Sequence, residues 1–458
     1  MTANWPMVSV IAMSAPKSIK RAGPSGEDID RFPGSYYAAT CGMLVDAPAL
    51  GGDAITDFCV IGGGFTGLSA ALALARMGRT VRLVEMGPIA WGASGRNGGQ
   101  IHVGWEQSQT WFEKKLGGET ARALWAMALD ARAHLDGLLD LAPDRCDFRP
   151  GLIYADHRAG NLAATHAYVA KLRDKYGHDS LTPLSREALR GMLDSPDYHG
   201  GSFDALGGHC HPLKLAQAMA RAAQAAGATL HAHTPCISLA PDGVGSGGGW
   251  RVTTSQGVIR AGQVLDATGA YARALVPQTD VHVLPVNSYI ATTEPLDPAL
   301  ANSLIRDGVA VSDSRFVVYY FRMTADHRLL FGGGESYGYR MPRDIAAFVR
   351  PHLARVFPQL AHVPISHAWG GSLAISPNRL PFVIEPQPGL HAVNGFSGLG
   401  VTLAPWLGQA VGRAMAGEAN AAHDILRRMP NPSFPGGPLL RWPTQALAMS
   451  FLALRDRF

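Results

Sequence analysis

Three glycines and one acidic residue early in the chain have the types and spacing that bind a dinucleotide. Gly62, Gly64 and Gly67 form a G-x-G-x-x-G pattern, and Glu85 follows one further apolar segment. Gly62 allows a tight turn, Gly64 lets a pyrophosphate approach the backbone, and Gly67 lets a helix pack closely on a strand. Glu85 can accept hydrogen bonds from the ribose hydroxyls of an adenosine.

These residues need a strand, a helix and a second strand to position them. Residues 57–61 and 80–84 are apolar runs typical of short buried strands, and residues 68–75 are the small and apolar residues of a helix. Strand, glycine turn, helix, strand and acid form a dinucleotide-binding βαβ unit, whose helix N-terminus presents N–H groups to phosphates. Glycine turns also join strands to helices for structural reasons alone, but the flanking strands and the acid favour binding.

Three further glycine-rich segments indicate which dinucleotide is bound. Residues 91–100 offer hydrogen-bond donors, residues 264–270 end a strand in Thr-Gly, and residues 393–401 open the last apolar helix. A helix N-terminus at the third segment would stabilise negative charge on a reduced flavin. Each alone is as well explained by an ordinary turn, but their order favours FAD over NAD. The candidate FAD-binding residues in these three segments are Ser94, Arg96, Asn97, Gly98, Thr268, Gly269, Gly395, Ser397, Gly398, Leu399 and Gly400. Cys236, which begins a short predicted strand, is a further candidate.

Composition excludes several other classes of function. The 458 residues allow two or three domains, and 47% hydrophobic with 17% charged residues predicts a mostly folded chain. A net charge of +4 without a long basic run argues against nucleic acid as a partner, and no apolar stretch is long enough to span a membrane. The N-terminus makes a poor signal peptide, and five scattered cysteines predict free thiols, a cytoplasmic location and no metal site.

The patterns along the chain predict an α/β protein (α+β overall) with interleaved domains. Helical spacing is found in residues 118–142, 161–175, 212–226, 343–357 and 403–417. Alternation between 281 and 334, as in 315–323, predicts an antiparallel sheet. We expect a disordered tail over 1–34, with Met7 or Met13 as alternative starts. The cofactor domain is expected to comprise 35–110, 205–280 and 366–420, and the substrate domain 111–204 and 281–365. Residues 421–458 are expected to form a C-terminal extension.

In the order of these motifs, the chain resembles the D-amino-acid-oxidase-like FAD oxidoreductases, and most closely their γ-glutamylputrescine oxidase branch. The resemblance covers essentially everything after the tail, and the loop S-G-R-N-G-G and the C-terminal F-P-G-G are its more branch-specific parts. The resembling segments are 35–40, 92–100, 207–216, 320–334, Pro381, 395–401 and 434–441.

This resemblance implies a glutathione-reductase-like FAD domain with a parallel sheet and a substrate domain with a mixed sheet. It also implies oxidation of an amine C–N bond, release of an imine, and reduction of O₂ to H₂O₂. Two departures matter. Leu399 stands where the family commonly has histidine, and the segment 369–372 lacks the cysteine through which sarcosine oxidases attach flavin. No histidine closely precedes Ser94 either, so we expect non-covalent FAD.

Amine oxidation sets conditions on the substrate site. An alkyl amine has a pKa near 10.4, so holding it neutral at pH 7 costs roughly 4–5 kcal/mol. The site should therefore be apolar or aromatic, without a carboxylate beside the reacting nitrogen. Tyr289, Tyr320 and Trp369 are candidates for its walls, although each taken singly is better explained as an ordinary core aromatic.

Arg322 is the candidate for binding a substrate carboxylate, because it matches an arginine of the branch and an arginine can fork onto two oxygens. Its alternative is a solvent-facing strand residue. His209 and His211 alternate as metal ligands do, but no third ligand lies near them in sequence, which favours a structural or substrate-side role.

The sequence leaves several functions open. Within enzymes, a sarcosine- or amino-acid-type oxidase and a quinone-linked amine dehydrogenase compete with the amine oxidase. A flavin-binding protein without turnover is a further alternative, since Leu399 replaces a polar neighbour of the flavin. The oligomeric state is not indicated.

Overall fold

The computed structural model describes residues 28–243, 248–271, 275–336 and 341–435. The expected tail up to residue 27, both alternative starts and the extension beyond residue 435 lie outside the described residues. The part of the expected tail that is described, 28–34, is packed. Trp91 Nε1 donates to the carbonyls of Asp28 and Arg31, at 3.2 and 3.0 Å. For these residues the prediction of disorder was wrong.

The first sheet carries the βαβ unit. Its strands are β1 (Ala54–Ile61), β2 (Val81–Val84), β7 (Thr229–His231), β8 (Cys236–Pro241), β9 (Trp250–Thr254), β10 (Val258–Asp266), β16 (Phe382–Gln387) and β17 (Leu390–Asn394). Their order is β16-β17-β10-β1-β2-β7, with β9 beside β10 and β8 beside β9. β1 pairs in parallel with β2 and β10, which places Val60 between Leu83 and Leu265.

The second sheet is mixed. Its strands are β3 (Gln100–Ile101), β4 (Arg149–Ala155), β5 (Leu181–Leu184), β6 (Gly201–His209), β11 (Leu284–Thr293), β12 (Ala310–Asp313), β13 (Tyr320–Met323), β14 (Leu329–Ser336) and β15 (Ile365–Ile375). Their order is β15-β11-β14-β13-β12-β4-β6-β3, with β5 on β6. β11 is antiparallel to β14 and β15, whereas β12 runs parallel to β4.

Helices cover both sheets, and the helices predicted from periodicity are confirmed within a few residues at their ends. They are α1 (Tyr36–Thr40), α2 (Phe65–Arg76), α3 (Gln109–Leu116), α4 (Gly118–Leu139), α5 (Leu162–Tyr176), α6 (Arg186–Arg190), α7 (Pro212–Ala225), α8 (Pro277–Asp280), α9 (Pro298–Leu304), α10 (Ile345–Val356), α11 (Gly400–Met415) and α12 (Ala421–Arg428). None of the helices within the described ranges is both long and apolar enough to cross a bilayer.

Helices α2 and α11 touch closely because two glycines face α2. A Cβ on Gly408 would lie 2.2 Å from the carbonyl oxygen of Thr66, and one on Gly412 would lie 2.9 Å from that of Ala70. Such distances are shorter than real side-chain contacts allow. Helix α11 is thereby fixed against α2, and the segments 57–76 and 390–415 form one unit.

Two expectations about boundaries differ from the structure. The strand predicted over 315–323 begins only at Tyr320, because Asp313 accepts the backbone N–H groups of Arg315 and Tyr319 and holds 314–319 in a turn. The expected domain limits at 205 and 366 fall inside β6 and β15, and β3 also belongs to the second sheet.

Candidate active site

A cavity of about 490 Å³ lies at the carboxyl ends of β1, β2 and β10. We call it the first cavity. Parallel strands end at a common edge, and this is where open α/β sheets bind their ligands. Eleven of the predicted FAD-binding residues line it, namely Gly62, Gly64, Glu85, Ser94, Asn97, Cys236, Thr268, Gly269, Ser397, Gly398 and Gly400.

The glycine turn takes the conformation that its residues allow. Gly62 has φ of +110°, and a Cβ there would lie 2.6 Å from the carbonyl oxygen of Ala267. Gly67 lies behind the turn and does not line the first cavity. A Cβ on Gly67 would lie 2.0 Å from the carbonyl oxygen of Gly62. Because glycine has no Cβ, α2 can begin directly at the end of the strand.

The N-terminus of α2 opens into the first cavity. Its N-cap is Gly64, which has no side chain to satisfy the first N–H groups. Phe65 N–H donates to Ser94 Oγ at 2.9 Å, which fixes the loop 91–97 over the turn. The remaining N–H groups of the first turn and the helix dipole favour an anion there.

Glu85 is placed to receive hydroxyl donors. Its Oε2 accepts from the N–H of Gly63 at 2.6 Å and its Oε1 from that of Gly87 at 3.2 Å. Burial raises the pKa of Glu85, while these backbone N–H groups oppose the shift. A ribose hydroxyl at this carboxylate would add a further donor to it.

Arg96 does not line the first cavity, although it was predicted to bind the cofactor. Its guanidinium lies 4.0 Å from the centre of the Trp91 ring, and its Nε donates to the carbonyl of Trp91 at 2.6 Å. Its Nη1 donates to the carbonyl of Gly370. Arg96 therefore supports the glycine-rich segment 91–100, which we call the glycine loop, and lines the second cavity described below. The prediction that it binds the cofactor is corrected for the first cavity, which it does not line.

The third glycine segment brings α11 to the same place. Ser397 has φ of +53°, and its Oγ accepts from the N–H of Ser376 at 3.1 Å. Gly395 packs against Phe382 and Ser376 and does not line either cavity. Leu399 is the N-cap of α11 and lines the second cavity described next.

A second cavity of about 210 Å³ adjoins the first. The residues that line both are uncharged: Ala93, Asn97, Ser372, Leu373, Ser397, Gly398 and Val401. Strands of the second sheet build most of the remaining wall, which includes Leu284, Val286, Ile290, Phe316, Val318 and Leu399. We call the stretch of wall common to both cavities the junction.

Of the aromatic residues predicted for the substrate site, Tyr320 lines the second cavity. Its ring lies on Gly98 and Gly332, where a Cβ would come within 2.6 and 2.0 Å of it, and its Oη lies 3.1 Å from Ser288 Oγ. Gly98 lines this cavity too.

Tyr289 and Trp369 do not line the cavity, so their predicted catalytic positions are corrected. Tyr289 lies between Ser288 and Ile290 on β11, and alternation turns it to the opposite face, 5.0 Å from Phe348 between ring centres. Trp369 is buried and donates through Nε1 to the carbonyl of Arg96.

Arg322 lies beneath the glycine loop and outside the residues that line either cavity. Its Nε donates to the carbonyl of Gly98 at 2.9 Å, and its Nη2 donates to Tyr37 Oη and to the carbonyl of Cys210, both at 3.2 Å. Because these acceptors already surround the guanidinium, the expected binding of a substrate carboxylate by Arg322 is corrected.

The two histidines before α7 have structural partners. His211 Nδ1 accepts the N–H of Lys214 at 3.1 Å and so caps α7, and burial lowers the pKa of His211 to about 3. His209 Nε2 lies 2.8 Å from the carbonyl of Gly308. Among the described residues no cluster of side chains suited to a metal ion is found.

Sequence reasoning missed three ionisable residues of the second cavity: His102, Glu106 and Arg379. Burial lowers the pKa of His102 to about 4, and its ring nitrogens lie 3.3 Å from Tyr154 Oη and 3.5 Å from Ser312 Oγ. Arg379 Nη1 donates to Glu106 Oε1 at 2.9 Å. His102 could have been found from its position just after the glycine loop, but Glu106 and Arg379 are 273 residues apart and carry no local signal.

The cavities fit the FAD that the motifs imply. A helix N-terminus whose N-cap residue has no side chain suits a diphosphate, the buried carboxylate of Glu85 suits a ribose, and the first cavity has the size of known ligand sites. The N-terminus of α11 at the junction suits a group that becomes negatively charged.

Comparison with known proteins gives a consistent set of relatives. The model of the DAO family, described as FAD dependent oxidoreductase, matches residues 57–414. A probable oxidoreductase OrdL of Rhizobium meliloti is 38% identical over 93% of this chain and 97% of its own length. The γ-glutamylputrescine oxidoreductase of Escherichia coli is 34% identical over 92% of this chain and 98% of its own. The crystal structure of glycine oxidase from Geobacillus kaustophilus covers 82% of this chain and all of its own with a TM-score of 0.69 at 21% identity.

Proposed function

Since the chain belongs to the DAO family of FAD-dependent oxidoreductases, we propose that it is an oxidase of amine C–N bonds whose substrate is γ-glutamylputrescine or a closely related amine. The family was predicted from the glycine-rich segments, and the match over 57–414 confirms it. FAD is therefore the cofactor, and Gly64, Glu85, Ser94 and Thr268 are the residues proposed to hold it.

The observation that carries the proposal is the uncharged junction between the cavities. An amine must lose its proton before it is oxidised, and a carboxylate beside it would hold the proton in place. The junction is formed by small, amide, hydroxyl and aliphatic side chains, such as Asn97, Ser397 and Val401. The junction therefore has no carboxylate that would keep the amine in its protonated form.

The reaction balances with water and O₂ as the other reactants. Bound FAD supplies the acceptor for the two electrons that leave the carbon next to the amine nitrogen. A primary amine R–CH₂–NH₂ loses two electrons and two protons to give the imine R–CH=NH, and water converts the imine to an aldehyde and ammonia. The two electrons and two protons reduce O₂ to H₂O₂.

The chain's own residues have positioning roles in this reaction. Tyr320 and Ser288, joined at 3.1 Å between their hydroxyl oxygens, form a polar point on a wall that also carries the apolar side chains of Val286 and Ile290. Leu399 adds apolar surface at the start of α11. His102 is neutral at pH 7 because of its lowered pKa, so it brings no positive charge against an incoming amine.

The free thiols of all five cysteines support a cytoplasmic location.

The test is to add γ-glutamylputrescine to the purified holoenzyme with and without O₂. Without O₂ the yellow flavin absorbance should bleach, and in air H₂O₂ and ammonia should appear in equal amounts. Bleaching without peroxide in air would indicate a dehydrogenase, and bleaching by glycine or sarcosine alone would indicate an amino-acid-type oxidase. Absence of bleaching by every amine would refute the proposal.

A further inference from the structure

An ion pair lies on the wall of the second cavity away from the junction. Arg379 and Glu106 line the second cavity but not the first, and Nη1 donates to Oε1 at 2.9 Å. Their side chains are 29% and 28% exposed, whereas Ser397 at the junction is buried. The pair therefore lies toward solvent, at the end of the cavity where a long substrate would extend.

The backbone holds Arg379 in an uncommon conformation. Its φ is +58°, and its N–H donates to the carbonyl of Ser376 at 3.0 Å. Non-glycine residues seldom adopt a left-handed conformation, and such residues concentrate at functional sites. Gln107, next to Glu106, donates to the carbonyl of Asn378 at 3.0 Å. The loops that carry the two charges are thus tied to each other.

Each member of the pair retains bonding capacity. Within the described ranges, Glu106 Oε2 has no hydrogen-bond partner, nor have the Nε and Nη2 of Arg379. The guanidinium lies 4.9 Å from the centre of the Phe316 ring, which restricts its position. A guanidinium and a carboxylate side by side present both signs of charge to a ligand.

We propose that Arg379 and Glu106 bind an α-amino-acid headgroup, with its carboxylate on Arg379 and its ammonium on Glu106. The other, aminoalkyl end of the substrate then reaches the junction. The inference rests on the proposed amine oxidation at that junction. The far ammonium of a diamine would contact Glu106 alone, and a monoamine has no far charge for either residue. The pair therefore selects a substrate whose far end is a zwitterion.

The test uses four substrates that differ only in the headgroup. γ-Glutamylputrescine has both charges, glutarylputrescine has the carboxylate, γ-aminobutyrylputrescine has the ammonium, and N-butyrylputrescine has neither. Arg379→Ala should lower kcat/KM about ten-fold for the two carboxylate substrates, through KM, and spare the other two. Glu106→Gln keeps the shape of the side chain and should affect the two ammonium substrates instead.

The matched control is Arg413→Ala. Arg413 pairs with Glu418 on the surface and lines neither cavity, so all four substrates should be oxidised as by the wild type. An equal loss on all four substrates with Arg379→Ala, or no loss on any, would overturn the inference.

A binding measurement separates this inference from the proposed function. γ-Glutamylbutylamide carries the headgroup but lacks the terminal amine, so its affinity for the holoenzyme by calorimetry does not depend on turnover. Binding that weakens about ten-fold in Arg379→Ala supports the headgroup site even if no amine is oxidised. Absence of binding to the wild type, or equal binding to wild type and variant, refutes the site.

Discussion

Arg322 illustrates why the type of a residue does not fix its role. It shares a face of β13 with Tyr320, as the sequence predicts for residues two apart. Yet Gly99 leaves room for its guanidinium, since a Cβ there would lie 3.3 Å from Nη2, and the side chain passes under the loop. Four oxygen acceptors surround the guanidinium there, and a substrate carboxylate would have to displace one of them.

Replacing Arg322 should therefore affect stability more than substrate choice. Arg322→Ala removes the donors to Gly98, Cys210 and Tyr37, and should lower the free energy of unfolding by about 3 kcal/mol. The midpoint of urea unfolding measures this loss. At a temperature where the variant remains folded, kcat/KM should fall equally for γ-glutamylputrescine and putrescine. A loss confined to γ-glutamylputrescine would restore Arg322 as the carboxylate anchor.

His211 should make the fold sensitive to acid. Its pKa is lowered to about 3, so the unfolded chain takes up this proton first as the pH falls below about 6.5. The free energy of unfolding then falls by up to about 1.4 kcal/mol for each pH unit down to pH 3. His211→Asn keeps an N-cap acceptor for Lys214 but cannot titrate, so its unfolding midpoint should depend less on pH between 4 and 7.

An exposed histidine serves as the control for this measurement. His327 is exposed at a turn with φ of +61°, which asparagine tolerates. His327→Asn should keep the pH dependence of the wild type. If His211→Asn behaves in the same way, His211 is not the group that makes the fold acid-sensitive.

At the scale of elements, the contact between α2 and α11 is the most demanding one. Gly408→Ala would place a methyl group against the carbonyl of Thr66, one residue from the start of α2. Overpacking of this kind costs about 1–3 kcal/mol and should displace the helix N-terminus that faces the first cavity. We expect a lower thermal midpoint together with weaker FAD binding in a flavin titration.

A second helical glycine separates crowding from helix propensity. Gly137 in α4 is exposed, and a methyl group added to it would meet nothing within 4 Å. Gly137→Ala should therefore be neutral or stabilise by up to about 1 kcal/mol. Unchanged FAD affinity in Gly408→Ala would mean that the helix contact does not position the cofactor.

At the scale of the whole molecule, the sequence predicted the cofactor half better than the substrate half. The turn 62–67, Glu85 and the Thr268-Gly269 strand end are each local signals, and the first cavity contains residues from all three. The second cavity is lined by Glu106 and Arg379, which are 273 residues apart in the sequence. The side of the sheet to which Tyr289 points depends on the register of β11 against β15. Such long-range pairings have no counterpart in local periodicity.

The flavin should be held by contacts alone. The chain has no cysteine in the segment 369–372 and no histidine shortly before Ser94, the positions that the resemblance associates with attachment. Acid precipitation of the yellow protein should release all flavin into the supernatant, measured by its fluorescence. Flavin that remains in the washed pellet would show a covalent bond instead.

The interleaving of the two ends of the chain has a consequence for biosynthesis. On the ribosome, β1 and α2 emerge long before β17, the Ser397 loop and α11, which complete the wall of the first cavity. A nascent chain that ends before residue 390 exposes the face of α2 that α11 later covers. We therefore expect FAD to bind only after this late segment has been synthesised and folded, so that a truncated chain lacks part of the site.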